Sequence, residues 1–154
     1  MKDRILDFNN DLVLGEKAEM EMRRLFLSRS DVSRCAKVDW RKYGFDLAVK
    51  FNNGKIRKFE IKSLAGGYNT GVVEVWADDN KTRRPHWWDS CDYILFKDRS
   101  TNTWFMYKRE LFVNWLLSQT NLTRANNGCK DDSGWIVKFK WENSPGFLHK
   151  FKGE

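Results

Sequence analysis

Asp46, Glu60 and Lys62 are the residues of this chain whose types and spacing could do chemistry together. They stand in Gly44-Phe45-Asp46 and in Phe59-Glu60-Ile61-Lys62, at the ends of two apolar segments joined by Asn52-Asn53-Gly54. Two carboxylates can hold a hard divalent cation such as magnesium. A lysine two residues beyond the second one shares its strand face, where it can orient or deprotonate a water. That chemistry exists only if the chain brings the three side chains to one place.

Residues 45–51 alternate, with Phe45, Leu47, Val49 and Phe51 on one face and Asp46, Ala48 and Lys50 on the other, the period of a half-buried strand. Residues 57–63 alternate too, setting Phe59 and Ile61 against Glu60 and Lys62. Asn-Gly between two such runs signals a hairpin, and the length of its loop sets the register. A two-residue turn at Asn53-Gly54 would place Asp46 opposite Ile61, with a carboxylate on the apolar face. A three-residue turn, with Gly54 at positive φ, places Asp46 across from Glu60, Phe45 across from Ile61 and Leu47 across from Phe59. Only the second register satisfies both faces. It also brings two like charges together, which repel unless a cation or a proton lies between them.

Upstream, residues 15–28 carry Ala18, Met22, Leu25 and Phe26 at the spacing of one helix face. Glu19 borders that stripe on one side and Glu21 on the other, so the helical wheel leaves open which of the two could reach the carboxylates.

Gly15-x-x-x-Glu19 on a first helix, Phe45-Asp46 on a strand and Glu60-Ile61-Lys62 on the next together resemble the PD-(D/E)XK nuclease superfamily. Within it they are most similar to the small Holliday junction resolvases and the compact endonucleases of phages and mobile elements. The resemblance is tightest between Gly15 and Ser63, with Phe45 standing where the family pattern has proline. It implies an α/β (α+β) fold with a restriction-endonuclease-like core, a central mixed β-sheet flanked by helices. It implies a metal-dependent endodeoxyribonuclease, phage-encoded and acting in recombination, DNA processing or host DNA degradation. Asp46 and Glu60 would bind magnesium, with manganese able to substitute. The backbone carbonyl of Ile61 would complete the protein ligands, and Glu19 would join directly or through water. Lys62 would activate the attacking water. Such enzymes commonly work on DNA as homodimers. The alternative is a non-catalytic accessory protein that keeps the fold and only binds nucleic acid.

Length and composition are compatible with both. At 154 residues, with no Pro- or Ser-rich linker, the chain reads as a single domain. A formal charge of +7 favours a polyanionic partner. Two histidines are too few for most zinc hydrolase sites, and Cys35, Cys91 and Cys129 are too far apart for a zinc knuckle or a disulfide framework. No phosphate-cradling glycine loop suggests a nucleotide cofactor, and no apolar run suggests a membrane span or a secretory leader, so a cytoplasmic protein is expected, in the host cytoplasm if phage-encoded.

Other segments could meet a substrate or complete the core. Residues 63–71 form a glycine-bearing stretch beside the carboxylates, and residues 72–76 read as a strand with Glu74 facing opposite Val73 and Val75. In Lys81-Thr82-Arg83-Arg84-Pro85-His86-Trp87-Trp88, the cations Lys81, Arg83 and Arg84 are candidates for DNA backbone contact. Trp87 and Trp88 could stack on bases, though adjacent tryptophans are more often divided between core and surface. Residues 92–96 read as a buried central strand, 103–107 as its hairpin neighbour, and 110–118 as a covering helix with Leu111, Trp115 and Leu116 inward. Residues 120–134 read as a loop, 135–141 as a strand with Lys138 and Lys140 on its polar face, and the tail from Asn143 carries no signal.

Overall fold

The computed structural model describes residues 4–66, 69–126 and 133–154. In chain order the elements are α1 (Arg4–Leu27), β1 (Val32–Lys37), α2 (Trp40–Tyr43), β2 (Leu47–Phe51), β3 (Ile56–Leu64), β4 (Thr70–Trp76), β5 (Tyr93–Asp98), β6 (Thr103–Lys108), α3 (Arg109–Leu117), β7 (Thr123–Asn126), β8 (Ser133–Lys140) and β9 (Phe147–Lys152). A six-stranded sheet runs in the order β1-β2-β3-β5-β6-β9, and β4-β8-β7 form a second sheet. The larger sheet is mixed, because β3 and β5 are parallel while its other pairs are antiparallel. This is the α+β architecture with a central mixed sheet expected of a nuclease-like fold.

Helical spacing brings Ala18, Met22 and Phe26 onto one face of α1, and that face is buried on Leu47, Val49, Phe59, Ile61, Leu95 and Trp104 of the sheet. Each large apolar side chain removed from water in this way stabilises the fold by about 2 kcal/mol. The opposite face of the sheet carries Phe96, Phe105 and Tyr107 into a second core. There they meet Val73, Val75 and Phe139 of the smaller sheet and Phe112, Val113 and Leu116 of α3. With a core on each side, β5 is apolar at three consecutive positions, Ile94, Leu95 and Phe96, all buried.

The β2–β3 hairpin has the three-residue turn. Phe51 N–H donates to the Lys55 carbonyl at 2.9 Å, Gly54 N–H returns to the Phe51 carbonyl at 2.9 Å, and Gly54 has φ +87°. The ladder pairs Leu47 with Phe59, as that turn requires. The expected pairing of Phe45 with Ile61 does not form. A continued ladder would offer the Ile61 N–H to the Phe45 carbonyl, but it donates to Asp46 Oδ2 at 2.8 Å instead. Phe45 leaves the strand face and lies in the second core with Trp87 and Trp88.

Three further expectations are corrected. Residues 120–134 are not a plain loop, since they hold β7 and the start of β8; residues 127–132 lie outside the described residues. The tail holds β9, which pairs with β6 at the edge of the larger sheet. In α3 the buried face is Phe112, Val113 and Leu116, and Leu111 is exposed. Part of the glycine stretch after Ser63, residues 67–68, lies outside the described residues, as does Cys129. Cys35 and Cys91 are buried free thiols. Among the described residues no helix is long and apolar enough to cross a membrane.

Candidate active site

Glu60 lies on the face of β3 opposite Phe59 and Ile61, which face α1, and so points away from the helix. Asp46 sits in the bend just before β2, held there by its backbone N–H to the Phe59 carbonyl at 3.0 Å and by the Ile61 N–H on its carboxyl. The two carboxyls come within hydrogen-bonding reach of each other, and both are nearly inaccessible, 5% for Asp46 and 1% for Glu60. Such a pair needs a proton or a cation between its oxygens.

Lys62, two residues along β3, places Nζ 3.0 Å from Glu60 Oε2. His86 brings Nε2 to 3.4 Å from the same oxygen. Glu60 Oε1, by contrast, is buried and has no hydrogen-bond donor. Glu19 reaches the other side of the pair, hydrogen-bonding to the Asp46 carboxyl and lying 3.6 Å from Lys37 Nζ. Glu21 goes elsewhere: it is buried against Lys97 and accepts the Glu154 N–H at 2.7 Å. The choice that the helical wheel leaves open therefore falls on Glu19 as the neighbour of Asp46. Glu74 acts on the same cluster through its charge on Lys62.

These contacts divide the carboxyls electrostatically. Burial first, then the charge of Glu60 and that of Glu19, pushes Asp46 up to about 9, against the opposing pull of the Ile61 N–H. Burial works upward on Glu60 too, but Lys62 and then His86 outweigh it and hold Glu60 below the usual carboxylate range. Glu19 is raised by burial, with Lys37 offsetting only part. For Lys62 burial acts downward, and the charges of Glu60 and Asp46 overcome it, so the ammonium is held above its ordinary value. At neutral pH the cluster holds an ionised Glu60, a charged Lys62 and a proton on Asp46.

Displacing that proton would leave two adjacent carboxylates, and Glu60 Oε1 already has a lone pair with no partner. This all-oxygen donor set suits a hard divalent cation such as magnesium. Among the described residues, no three or more His, Cys, Asp or Glu side chains close around a single cation-sized gap. The donors that fit are Asp46 and Glu60, with Glu19 reaching Asp46.

The basic run Lys81, Arg83 and Arg84 lies exposed in the loop between β4 and β5. Arg84 lays its guanidinium 3.4 Å from the Trp76 ring centroid and 4.8 Å from that of Trp88, and donates to the Val75 carbonyl at 3.1 Å. Lys81 stands 4.3 Å from the Trp135 ring centroid, and Arg83 donates to the Ala77 carbonyl at 3.4 Å. All three keep solvent exposure, while Arg84 fastens the loop to β4 and Lys81 fastens it to β8. Trp87 and Trp88 are both buried in the second core, so neither is divided off to the surface and neither offers a face to a base.

His86 is the member of the cluster that sequence reasoning missed. No spacing relates it to Glu60. It arrives because Ser90 Oγ ties the loop down, donating within reach of the Gly44 carbonyl at 2.7 Å and the His86 carbonyl at 2.9 Å.

Among solved structures, a bacterial homing endonuclease superimposes with a TM-score of 0.50 at 13% sequence identity, over 81% of this chain and 74% of that one. The likeness is one of fold. No family model matches the chain, and no curated protein matches it in sequence.

Proposed function

We propose that the protein is a magnesium-dependent DNA endonuclease of the PD-(D/E)XK type, with its active site at Asp46, Glu60 and Lys62. The observation that carries this reading is a buried pair of carboxyls, Asp46 and Glu60, within hydrogen-bonding reach of each other, with a lysine 3.0 Å from one of the Glu60 oxygens. The fold shared with a homing endonuclease supports it.

Asp46, Glu60 and the Ile61 carbonyl would hold the cation, with Glu19 contributing directly or through water; manganese would serve in place of magnesium. Bound there, the cation would supply positive charge for the scissile phosphate and for acidifying a nearby water. Lys62 contributes a fixed cation on the same strand face, able to orient the attacking water and to offset charge developing on the phosphate. Glu60 holds that ammonium in place. His86, at the same Glu60 oxygen as Lys62, further limits the positions that carboxylate can adopt. A pure binding protein has no physical need for two facing carboxyls beside a polyanion, which repel the phosphate they would sit against.

The test incubates the protein with supercoiled, linear, single-stranded and four-way-junction DNA, with magnesium or with chelator, beside Lys62→Ala. Cutting that needs magnesium and is lost in the variant is expected. Cutting that survives chelator, or full activity in Lys62→Ala, defeats the mechanism, and binding without any cutting points to the accessory protein. The same samples, sized in solution, test the expectation of a homodimer.

A further inference from the structure

The helix α2, Trp40-Arg41-Lys42-Tyr43, buries none of its residues. Trp40 is 44% exposed and Tyr43 53%. Large rings this exposed contribute less to folding than core rings do, yet the helix is firmly fixed. Asp39 caps its start by accepting the Arg41 N–H at 3.1 Å. Gly44, at φ +82°, closes its end with an N–H to the Trp40 carbonyl at 2.8 Å, and Ser90 holds the Gly44 carbonyl. A Cβ at Gly44 would come within 2.6 Å of Ser90 Oγ, so the close approach also requires glycine.

Its position matters as much as its rigidity. Trp40 lies 4.7 Å from the His86 ring, and His86 lies 3.4 Å from Glu60, so a single ring stands between the indole and the carboxylate cluster. Three apart on a helix, Trp40 and Tyr43 are surface neighbours. Each has a cation beside it: the Arg41 guanidinium is 5.5 Å from the Trp40 centroid and the Lys42 ammonium 5.1 Å from that of Tyr43. Exposed rings interleaved with cations, held rigidly beside a phosphodiester-cutting site, match the chemistry of a nucleic-acid strand with bases free to stack and phosphates to be neutralised.

We infer that α2 is a stacking platform for an unpaired base of the substrate strand next to the bond that is cut. This deepens the endonuclease reading and rests on it. The substrate class it implies is DNA that is single-stranded or locally opened at the cleavage point, since a base within an intact duplex has no free face to offer. Arg41 and Lys42 take the flanking phosphates, while Trp40 and Tyr43 take bases without regard to sequence, because every base has a π-face.

The test measures binding of a short labelled single-stranded oligodeoxynucleotide by fluorescence anisotropy in chelator, beside the same oligonucleotide with its central bases replaced by abasic sites. Wild type should favour the intact strand on the order of 10-fold, the scale of stacking by one base. Trp40→Ala with Tyr43→Ala should lose that preference, and Trp40→Phe should keep most of it. Arg41→Ala with Lys42→Ala should weaken both oligonucleotides alike. Since no α2 residue is fully buried, only small changes in thermal midpoint are expected for the variants, and these are checked alongside. Equal wild-type affinity for intact and abasic strands, or a preference that survives loss of both rings, overturns the platform. Cutting is read separately with magnesium, comparing wild type with Lys62→Ala. A ring-dependent preference in a protein that never cuts sustains the platform and removes the endonuclease; magnesium-dependent cutting with silent rings does the reverse.

Discussion

Replacing Asp46 with asparagine should make the metal-free protein more stable at alkaline pH while abolishing its cutting. The folded chain binds a proton at Asp46 up to about pH 9, whereas the unfolded chain loses it near the ordinary value of 3.8. Where the folded state holds the extra proton, stability falls as pH rises. Between pH 5 and pH 8 the loss is roughly 1.4 kcal/mol per pH unit, or about 4 kcal/mol across the interval. Asparagine keeps the shape, offers Oδ1 to the Ile61 N–H and an amide N–H to Glu60, and does not titrate. The urea midpoint of Asp46→Asn should therefore already lie above that of wild type at pH 5, by about 1.6 kcal/mol in stability, and the gap should widen progressively toward pH 8. On the proposed mechanism, magnesium would compete with the proton in wild type. At a concentration 100 times its dissociation constant it should restore about 2.7 kcal/mol to wild type at pH 8 and add nothing to the variant. Parallel pH profiles, or a variant weaker than wild type at pH 8, would refute the proton-holding pair and with it the electrostatic account of the site.

Other expected outcomes follow from single contacts. Lys62→Ala should lower magnesium-dependent cutting by about 100-fold or more, as for loss of one preorganised group that offsets charge in the transition state, with unchanged DNA binding in chelator; gel assays and anisotropy separate the two. Met22→Ala, which empties a fully packed site between α1 and the sheet, should cost about 3 kcal/mol by urea unfolding. Gly54→Ala meets no atom within 4 Å but must adopt φ +87°, so it should cost only about 1 kcal/mol and leave cutting intact if the turn keeps its register. Gly66→Ala, whose Cβ would fall 1.6 Å from Asp98 Oδ1, should lower the thermal midpoint further than Gly54→Ala does.

What the sequence made legible was whatever depends on nearby residues. The hairpin register follows from three turn residues and two alternating runs, so the approach of Asp46 to Glu60 could be reasoned before any coordinates. Lys62 followed from strand period alone. His86 and Trp40 could not be reached this way, because a loop brought down by Ser90 on Gly44 joins them to the site, and no periodicity encodes that contact. The strands β7 and β9 escaped for a different reason. Both lie at sheet edges, where exposed positions carry polar residues and the alternation that marks a half-buried strand is lost. In α3 the apolar residues nearly encircle the helix, so spacing could not choose between Leu111 with Trp115 and Phe112 with Val113. Burial made that choice.

The one local rule broken near the site is informative. Strict alternation places Phe45 with Leu47 on the α1 face. Instead the chain bends at Asp46, gives up a ladder hydrogen bond from Ile61 to the Phe45 carbonyl, and spends that donor on the Asp46 carboxyl. Phe45 turns to the other core, beside the loop that carries His86. The exchange is close to neutral for hydrogen bonding, one acceptor for another, but it buries a carboxyl against a second carboxyl at a cost that grows with pH. Sequences usually avoid such an arrangement in a core, and where it persists the compensation generally comes from a bound ligand rather than from folding. The bend therefore fits the proposed cation-binding role of Asp46 better than a contribution to stability, and the same reasoning extends to α2, which has no fully buried residue and is nevertheless capped at both ends beside the same cluster.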